Sequence, residues 1–125
     1  MSPRRVTFRD VQRIGVELPG VEVGTTYGTP ALKVGGKAFV CIASHKSAEP
    51  NTLAVRMDFA QRDALVAEDP DTYYLKDHYV GYPCVLVRLP RVHPDALRDL
   101  VHGAWRLVKA GGAKKKRATR TSRRA

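Results

Sequence analysis

The sequence lacks the hydrophobic segments that would place a protein in or across a membrane. No run of about 18 apolar residues occurs in its 125 residues, and its first residues do not include the apolar stretch of a signal peptide. We therefore expect a cytoplasmic protein with no membrane partner. With 43% hydrophobic residues, the chain is long enough for one globular domain and too short for two.

Cysteine is scarce, and the common catalytic motifs are missing. Cys41 and Cys84 each lie inside an apolar run, which favours buried, reduced thiols; a disulfide or a reactive thiol is the alternative. The sequence contains no Walker loop, dinucleotide fingerprint, His-Glu-x-x-His or Cys-x-x-Cys. Its four histidines are scattered without metal-ligand spacing. We therefore predict no enzyme activity, no catalytic residue, no metal site and no cofactor.

Acidic residues are absent from the C-terminal end of the chain, where basic residues are concentrated. Residues 109–125 hold eight cations and no acid, whereas residues 1–108 hold 14 cations and 12 acids. No large apolar residue follows Val108, which predicts a disordered tail at 109–125 after a folded domain at 1–108. The tail is either a flexible arm attracted to phosphates or a solubilising appendage. Its predicted nucleic-acid contacts are Lys114, Lys115, Lys116, Arg117, Arg120, Arg123 and Arg124.

Periodicity and turn residues predict an α+β domain. A helical apolar stripe follows Thr7 and ends at Leu18, Asp58 can cap a second helix, and a third begins after His93-Pro94. Apolar runs predict strands at 31–34, 37–42, 53–57, 73–75 and 84–89. Gly35-Gly36 between the first two is typical of a type I′ hairpin turn. The order α-β(3)-α-β(2)-α predicts two layers, an antiparallel sheet with helices on one face.

Two short segments combine aromatic rings with glycine and proline, namely Tyr-Gly-Thr-Pro at 27–30 and His-Tyr-Val-Gly-Tyr-Pro at 78–83. Glycine permits positive φ and proline fixes φ, so such segments are typical of shaped surface. We predict that they come together to line one cleft, although the rings could instead fill the edge of the core. The candidate cleft residues are Tyr27, His78, Tyr79 and Tyr82.

Taken in order, several segments of the sequence resemble the MmcQ/YjbR family of small bacterial proteins. The resemblance covers about residues 7–108 and is carried by Leu-Pro-Gly-Val-Glu at 18–22, the 27–30 segment with a Gly-Gly-Lys hairpin behind it, Val-Arg-Met-Asp at 55–58, Pro-Asp-Thr-Tyr-Tyr at 70–74, the 78–83 segment and Ala104-Trp105. It implies a compact α-β(3)-α-β(2)-α unit that binds DNA through two hairpin wings.

A wing needs a tight turn with cationic side chains beside it. The Gly35-Gly36 turn lies between Lys33 and Lys37, and the second candidate is the segment 76–82, where Lys76 could approach phosphate. These lysines could equally be solvated surface residues. We therefore expect a nonenzymatic DNA-binding protein that contacts the nucleic-acid backbone largely without base specificity through its wings and tail. The alternative is a small-ligand or protein-interaction module that uses the Tyr/His-lined cleft.

Overall fold

The computed structural model describes residues 6–26, 28–43 and 48–110, with only the backbone of His78. Four helices and six strands follow one another along this part of the chain. Their order and bounds are α1 (Phe8–Gly15), β1 (Val21–Thr26), β2 (Thr29–Val34), β3 (Lys37–Ile42), β4 (Thr52–Arg56), α2 (Phe59–Glu68), β5 (Tyr73–Tyr74), α3 (Asp77–Val80), β6 (Cys84–Arg88) and α4 (Pro94–Lys109).

The six strands form one antiparallel sheet in the order β1-β2-β3-β4-β6-β5. The predicted α+β class and antiparallel sheet are confirmed. Two elements are additional to the predicted order, the edge strand β1 and the single helical turn α3. None of the β1 residues is buried, three being exposed and three half-buried, so the strand lacks the buried apolar face by which a half-buried strand is recognised.

Helices α1, α2 and α4 cover one face of the sheet and enclose the main core. Fully buried core residues come from every layer, among them Val11, Phe39, Leu53 and Val101. Gly15 allows α1 to approach the sheet closely, because a Cβ at this position would lie 2.2 Å from Leu32 Cδ1. The prediction that the helices lie on one face holds for these three helices.

A smaller apolar cluster lies on the opposite face of the sheet and consists of Tyr74, Tyr79, Cys84 and Leu86. Neighbouring strand residues point to opposite faces. Tyr73 therefore belongs to the main core and Tyr74 to this second cluster. The α3 turn and the residues that precede β4 cover the cluster, which gives the sheet buried side chains on both faces.

Local signals in the sequence explain where the predicted elements begin. The Asp10 carboxylate accepts a hydrogen bond from Thr7 N at 2.9 Å in a capping box, and Asp58 Oδ1 accepts from Gln61 N at 2.7 Å. Both caps confirm the predicted helix starts. Gly35 and Gly36 have φ of 60° and 80°, and positive φ at both positions confirms the type I′ turn. The first helix ends at Gly15, three residues before the predicted end at Leu18.

Both cysteines are free thiols, Cys84 buried and Cys41 half-buried. They lie on β3 and β6, which β4 separates in the sheet. Two strand spacings amount to about 10 Å, which exceeds the Cα separation that a disulfide can bridge. The disulfide alternative is therefore excluded. Burial raises the pKa of the Cys41 thiol and raises that of Cys84 to about 11, so both thiols are protonated at neutral pH.

Candidate functional surfaces

The β2–β3 hairpin is the first predicted wing, and the structure separates its two lysines. Lys37 pairs with Val34, whose side chain is in the main core, whereas Lys33 pairs with Ala38 one position along. Because successive strand residues alternate, Lys37 lies on the helix-covered face and Lys33 on the opposite face. Lys33 is half-buried with its aliphatic stem over Gly24. The two cations therefore flank the hairpin on opposite faces.

The second predicted wing is the connection between β5 and β6, which contains α3. Lys76 is exposed at the start of this connection, and its Nζ lies 5.9 Å from the centre of the Tyr74 ring. Tyr79 is only 9% exposed and belongs to the second cluster. Tyr82, three residues further on, is 57% exposed. The connection thus presents Lys76 and Tyr82 to solvent and uses Tyr79 for packing.

A buried arginine on α2 holds this connection against the domain. Arg62 Nη1 donates to the carbonyl oxygens of Val80 at 2.8 Å and Tyr82 at 3.2 Å, and Nε donates to the Asp63 carboxylate at 2.9 Å. The Arg62 side chain is 8% exposed. A buried guanidinium has to be paired to offset its desolvation, and here two backbone carbonyls and one carboxylate pair with it. Arg62 therefore determines the position of the loop between α3 and β6.

Three residues that contact Arg62 carry exposed apolar side chains, and we call them the aromatic patch: Phe59, Val80 and Tyr82. The Arg62 guanidinium lies 4.7 Å from the centre of the Phe59 ring, and its Nη1 donates to the backbone carbonyl oxygens of Val80 and Tyr82. The three side chains are 45%, 47% and 57% exposed. Exposed apolar residues that are grouped in this way are typical of interaction surfaces.

A second arginine, Arg88, connects β6 to the two neighbouring loops. It makes a bidentate pair with Glu49 at 2.9 and 2.7 Å and donates to the Pro70 and Asp71 carbonyl oxygens at 2.9 and 3.0 Å. Its guanidinium also stacks on Tyr74, 4.2 Å from the ring centre. The hydrogen bond from Arg88 lowers the pKa of the Glu49 carboxyl, while the same bond raises the pKa of Arg88. Both groups are therefore charged at neutral pH.

A groove of about 480 Å³ lies between α4 and the start of α2. Its charged lining residues are balanced, with two arginines, Arg56 and Arg106, and two aspartates, Asp58 and Asp99. One of these carboxylates already caps α2. The described residues include no group of three or more side chains that could hold a metal ion. Neither the charge nor the ligand set of this groove favours a polyanion or a metal.

Several predicted site residues lie outside the part of the chain that the structure describes. They are Tyr27 and the tail residues Lys114, Lys115, Lys116, Arg117, Arg120, Arg123 and Arg124. The side chain of His78 is likewise not described. The predicted cleft between the 27–30 and 78–83 segments therefore stays a prediction. Of its four candidates, Tyr79 is in the second cluster and Tyr82 is in the aromatic patch.

Sequence reasoning did not identify Phe59 and Arg62 as surface-building residues. Phe59 precedes half-buried Val66 by seven residues, and this helical spacing favours the same buried face for both. Arg62 is one of many cations in the sequence. Its burial depends on the carbonyls of a loop 18 residues away, and no local pattern contains that information.

The family follows from comparison with known proteins. A family model described as YjbR matches residues 16–107 of the chain. The chain belongs to the YjbR family. Protein DR2400 of Deinococcus radiodurans, described as carrying a DUF419 domain, has a similar crystal structure with a TM-score of 0.72 and 21% sequence identity, over 93% of this chain and 88% of that one. This similarity shows that the two proteins share a fold.

Two curated proteins resemble a shorter part of the chain. The uncharacterized proteins Mb2600 of Mycobacterium bovis and Rv2570 of Mycobacterium tuberculosis are each 43% identical to it over 42 residues. That segment is 34% of this chain and only 33% of either relative. In this YjbR-family protein, no helix within residues 6–26, 28–43 and 48–110 is both long and apolar enough to cross a membrane.

Proposed function

We propose that this YjbR-family protein is a nonenzymatic DNA-binding protein of the cytoplasm that contacts the phosphate backbone largely without base specificity. The observation that carries the proposal is the uneven distribution of charge. Residues 109–125 hold eight cations without an acid, while 14 cations and 12 acids nearly balance in residues 1–108. A cluster of cations displaces counterions from DNA, and this release supplies most of the free energy of nonspecific binding.

The β2–β3 hairpin supports the proposal as a second contact region. Its Gly35-Gly36 tip carries no side chains, so the backbone of the turn can approach another molecule closely. Lys33 and Lys37 flank the tip, and within the described residues neither forms an ion pair with a carboxylate. Since the two lysines lie on opposite faces, the hairpin would contact phosphates on either side of a groove rather than one strand alone.

The test compares the full chain with a full-length variant in which the seven basic residues from Lys114 to Arg124 are replaced by glutamine. Fluorescence titration of duplex DNA at several salt concentrations gives the affinity and its salt dependence. Eight tail contacts would give a slope of log K against log salt of about −7 at most. We expect a shallower slope for the wild type, because only part of the tail's charge would contact phosphates at any one time. The glutamine variant should lose most of both affinity and slope.

A matched variant tests the hairpin. Lys33→Gln and Lys37→Gln together, in the glutamine-tail background, should weaken the remaining binding further, whereas Arg98→Gln on exposed α4 should not. Equal affinity and equal salt slope for the wild type and the glutamine-tail variant would contradict the role of the tail. Absence of measurable DNA binding by the wild type at low salt would contradict the proposed function itself.

The aromatic patch favours a second candidate function, a module that docks a small ligand or another protein. The observation in its favour is the exposure of Phe59, Val80 and Tyr82 around a rigidly bonded arginine.

Phe59→Ser and Tyr82→Ser should leave DNA affinity unchanged if the two functions are separate. Nuclear magnetic resonance with indole as an aromatic probe should shift the signals of the patch residues in the wild type and not in these variants. Shifts spread evenly over the domain would contradict this second candidate.

A further inference from the structure

The outer edge of β1 is a long strand edge that no other described strand pairs with. All six residues of Val21–Thr26 pair with β2 on the inner side, and β1 is the last strand of the sheet. The opposite edge is formed by β5, which has only two residues. Proteins usually protect a long edge with lysine, proline or a bulge, and Val21–Thr26 contains neither lysine nor proline. The edge of β1 is therefore suited to pairing with another strand.

The register of the β1–β2 hairpin determines which backbone groups point outward. Thr26 and Thr29 close a two-residue turn, and the closing pair of such a turn exchanges both hydrogen bonds. Alternation then directs the N–H and C=O groups of Val21, Val23 and Thr25 away from β2. Pro30, which has no N–H, lies opposite Thr25. This agrees with the alternation, because the pair of Thr25 and Pro30 exchanges no hydrogen bond. The Val21 N–H is used locally by Leu18 O at 3.4 Å.

The side chain of Val23 is the exposed apolar feature of this edge. It lies opposite fully buried Leu32, so it points toward the helix-covered face of the sheet. The helices, however, lie mainly over the strands from β2 to β6, and Val23 is 50% exposed. A strand that paired with β1 and carried an apolar side chain opposite Val23 would bury it.

We propose that the occupant of this edge is a second copy of the chain, paired through β1 in an antiparallel, two-fold arrangement centred on Val23. This register joins the Val23 N–H and C=O groups of the two copies and the Thr25 N–H with the Val21 carbonyl, while the Val21 N–H stays on Leu18 O. It places Val23 against Val23 of the second copy. It sets Glu22 opposite Gly24 and Val21 opposite Thr25. The neighbouring register, centred on Glu22, would place Glu22 opposite Glu22 of the second copy. Like charges directly opposite each other destabilise a sheet. The strand is thus complementary to itself in the centred register.

The interface would be small, because one six-residue edge buries less surface than the roughly 1,200–2,000 Å² of stable complexes. We therefore expect a reversible dimer with a dissociation constant of roughly 10 μM to 1 mM, which is about −7 to −4 kcal/mol. The proposal does not depend on DNA binding, since no tail or hairpin-tip cation takes part in the β1 contact.

Sedimentation velocity of the full chain, from about 10 μM to 1 mM, tests the dimer. The wild type should shift toward the dimer as its concentration rises. Val23→Lys should stay monomeric, because a lysine on the edge prevents strand pairing. The matched control is Val80→Lys, which changes a valine of similar exposure, 47%, away from β1, and should dimerise as the wild type does. A wild type that stays monomeric throughout, or equal loss of dimer in both variants, would overturn the proposal.

Cross-linking tests the register. Val23→Cys should form a disulfide-linked dimer under mild oxidation, since opposed residues of an antiparallel pair have Cα atoms about 5.5 Å apart. Thr25→Cys should not, because the centred register separates the two copies of this residue by about 13 Å. The wild type, with only Cys41 and Cys84, is the background control. Linkage through Thr25→Cys but not Val23→Cys, or through neither when a dimer is present, would overturn the proposed interface.

Discussion

Arginine side chains in this protein bind backbone carbonyls as well as carboxylates. Arg62 and Arg88 each donate to two carbonyl oxygens of loops distant in sequence. The guanidinium group presents several donors in a fixed plane, whereas a lysine ammonium is a single flexible charge. A lysine at either position would keep the charge and lose this geometry. The loops around the aromatic patch and the second cluster therefore depend on arginine specifically.

At the residue scale, Tyr74→Phe should lower the free energy of unfolding by about 1–3 kcal/mol, because it leaves a buried hydroxyl without its partner. The Tyr74 hydroxyl lies 2.6 Å from Thr52 Oγ1 and accepts from Glu49 N at 2.8 Å, and Thr52 is 1% exposed. Tyr73→Phe is the control. It removes the hydroxyl of the neighbouring residue, and this hydroxyl forms no hydrogen bond within the described residues. Urea unfolding should separate the two variants; equal losses would contradict the role of the Tyr74 network.

The Cys84 thiol should make stability fall at alkaline pH. Its pKa is about 11 in the folded protein, so the unfolded chain releases the proton first, near the ordinary value of 9. The stabilisation is full below pH 9 and is lost as pH rises from 9 toward 11. Urea unfolding at pH 8 and 10.5 should show a larger decrease for the wild type than for Cys84→Ala, by about 1–2 kcal/mol. An identical decrease in both proteins would show that the thiol does not contribute.

Elements of the domain differ in how their boundaries are specified. The helices α1 and α2 begin at caps formed by residues within three positions of each other. The β2–β3 hairpin depends on the two positive φ values of its glycines. In contrast, β1 is a strand because β2 pairs with it, and α3 is held by the hydrogen bond that Arg62 donates to the Val80 carbonyl oxygen. Some elements are thus specified by residues close in sequence, and their neighbours by contacts with residues distant in sequence.

At the scale of elements, glycine-to-alanine substitutions should change the free energy of unfolding in opposite directions in the hairpin and in α4. Gly35→Ala should cost about 1–2 kcal/mol, because its φ of 60° is unfavourable for an L residue. Gly103→Ala should add about 0.5–1 kcal/mol, because alanine is the better helix former and its Cβ would meet no atom within 4 Å. Thermal unfolding followed by circular dichroism measures both. Destabilisation by Gly103→Ala would contradict the description of α4 at this position.

On the scale of the whole molecule, the chain separates its apolar core from its excess charge. The last core residue of α4 is Val108, and Trp105 secures the same helix by donating from Nε1 to Pro19 O at 3.0 Å. The concentrated positive charge follows in the sequence. The apolar core and the excess charge thus lie in different parts of the sequence, and we expect that the charge can be changed without loss of the fold.

Deletion of residues 111–125 should change the thermal midpoint by less than about 3 °C, because these residues include no large apolar side chain. Truncation after Gly103 is the matched control. It removes buried Ala104 and Val108 and the Trp105 hydrogen bond, and should lower the midpoint strongly. Differential scanning calorimetry compares the three proteins. Loss of cooperative unfolding on deletion of 111–125 would contradict a domain boundary near residue 108.

The amino-acid sequence alone was enough to predict the α+β class, the family resemblance, three helices, five of the six strands and the Gly35-Gly36 turn. These features depend on periodicity, caps and φ preferences, which act between residues close in sequence. Only the tertiary structure decided that β1 is a strand, that Lys33 and Lys37 lie on opposite faces, and that Arg62 is buried beneath exposed Phe59. Each of these depends on strand register or on contacts between residues distant in sequence. Such contacts form only when the whole chain packs together.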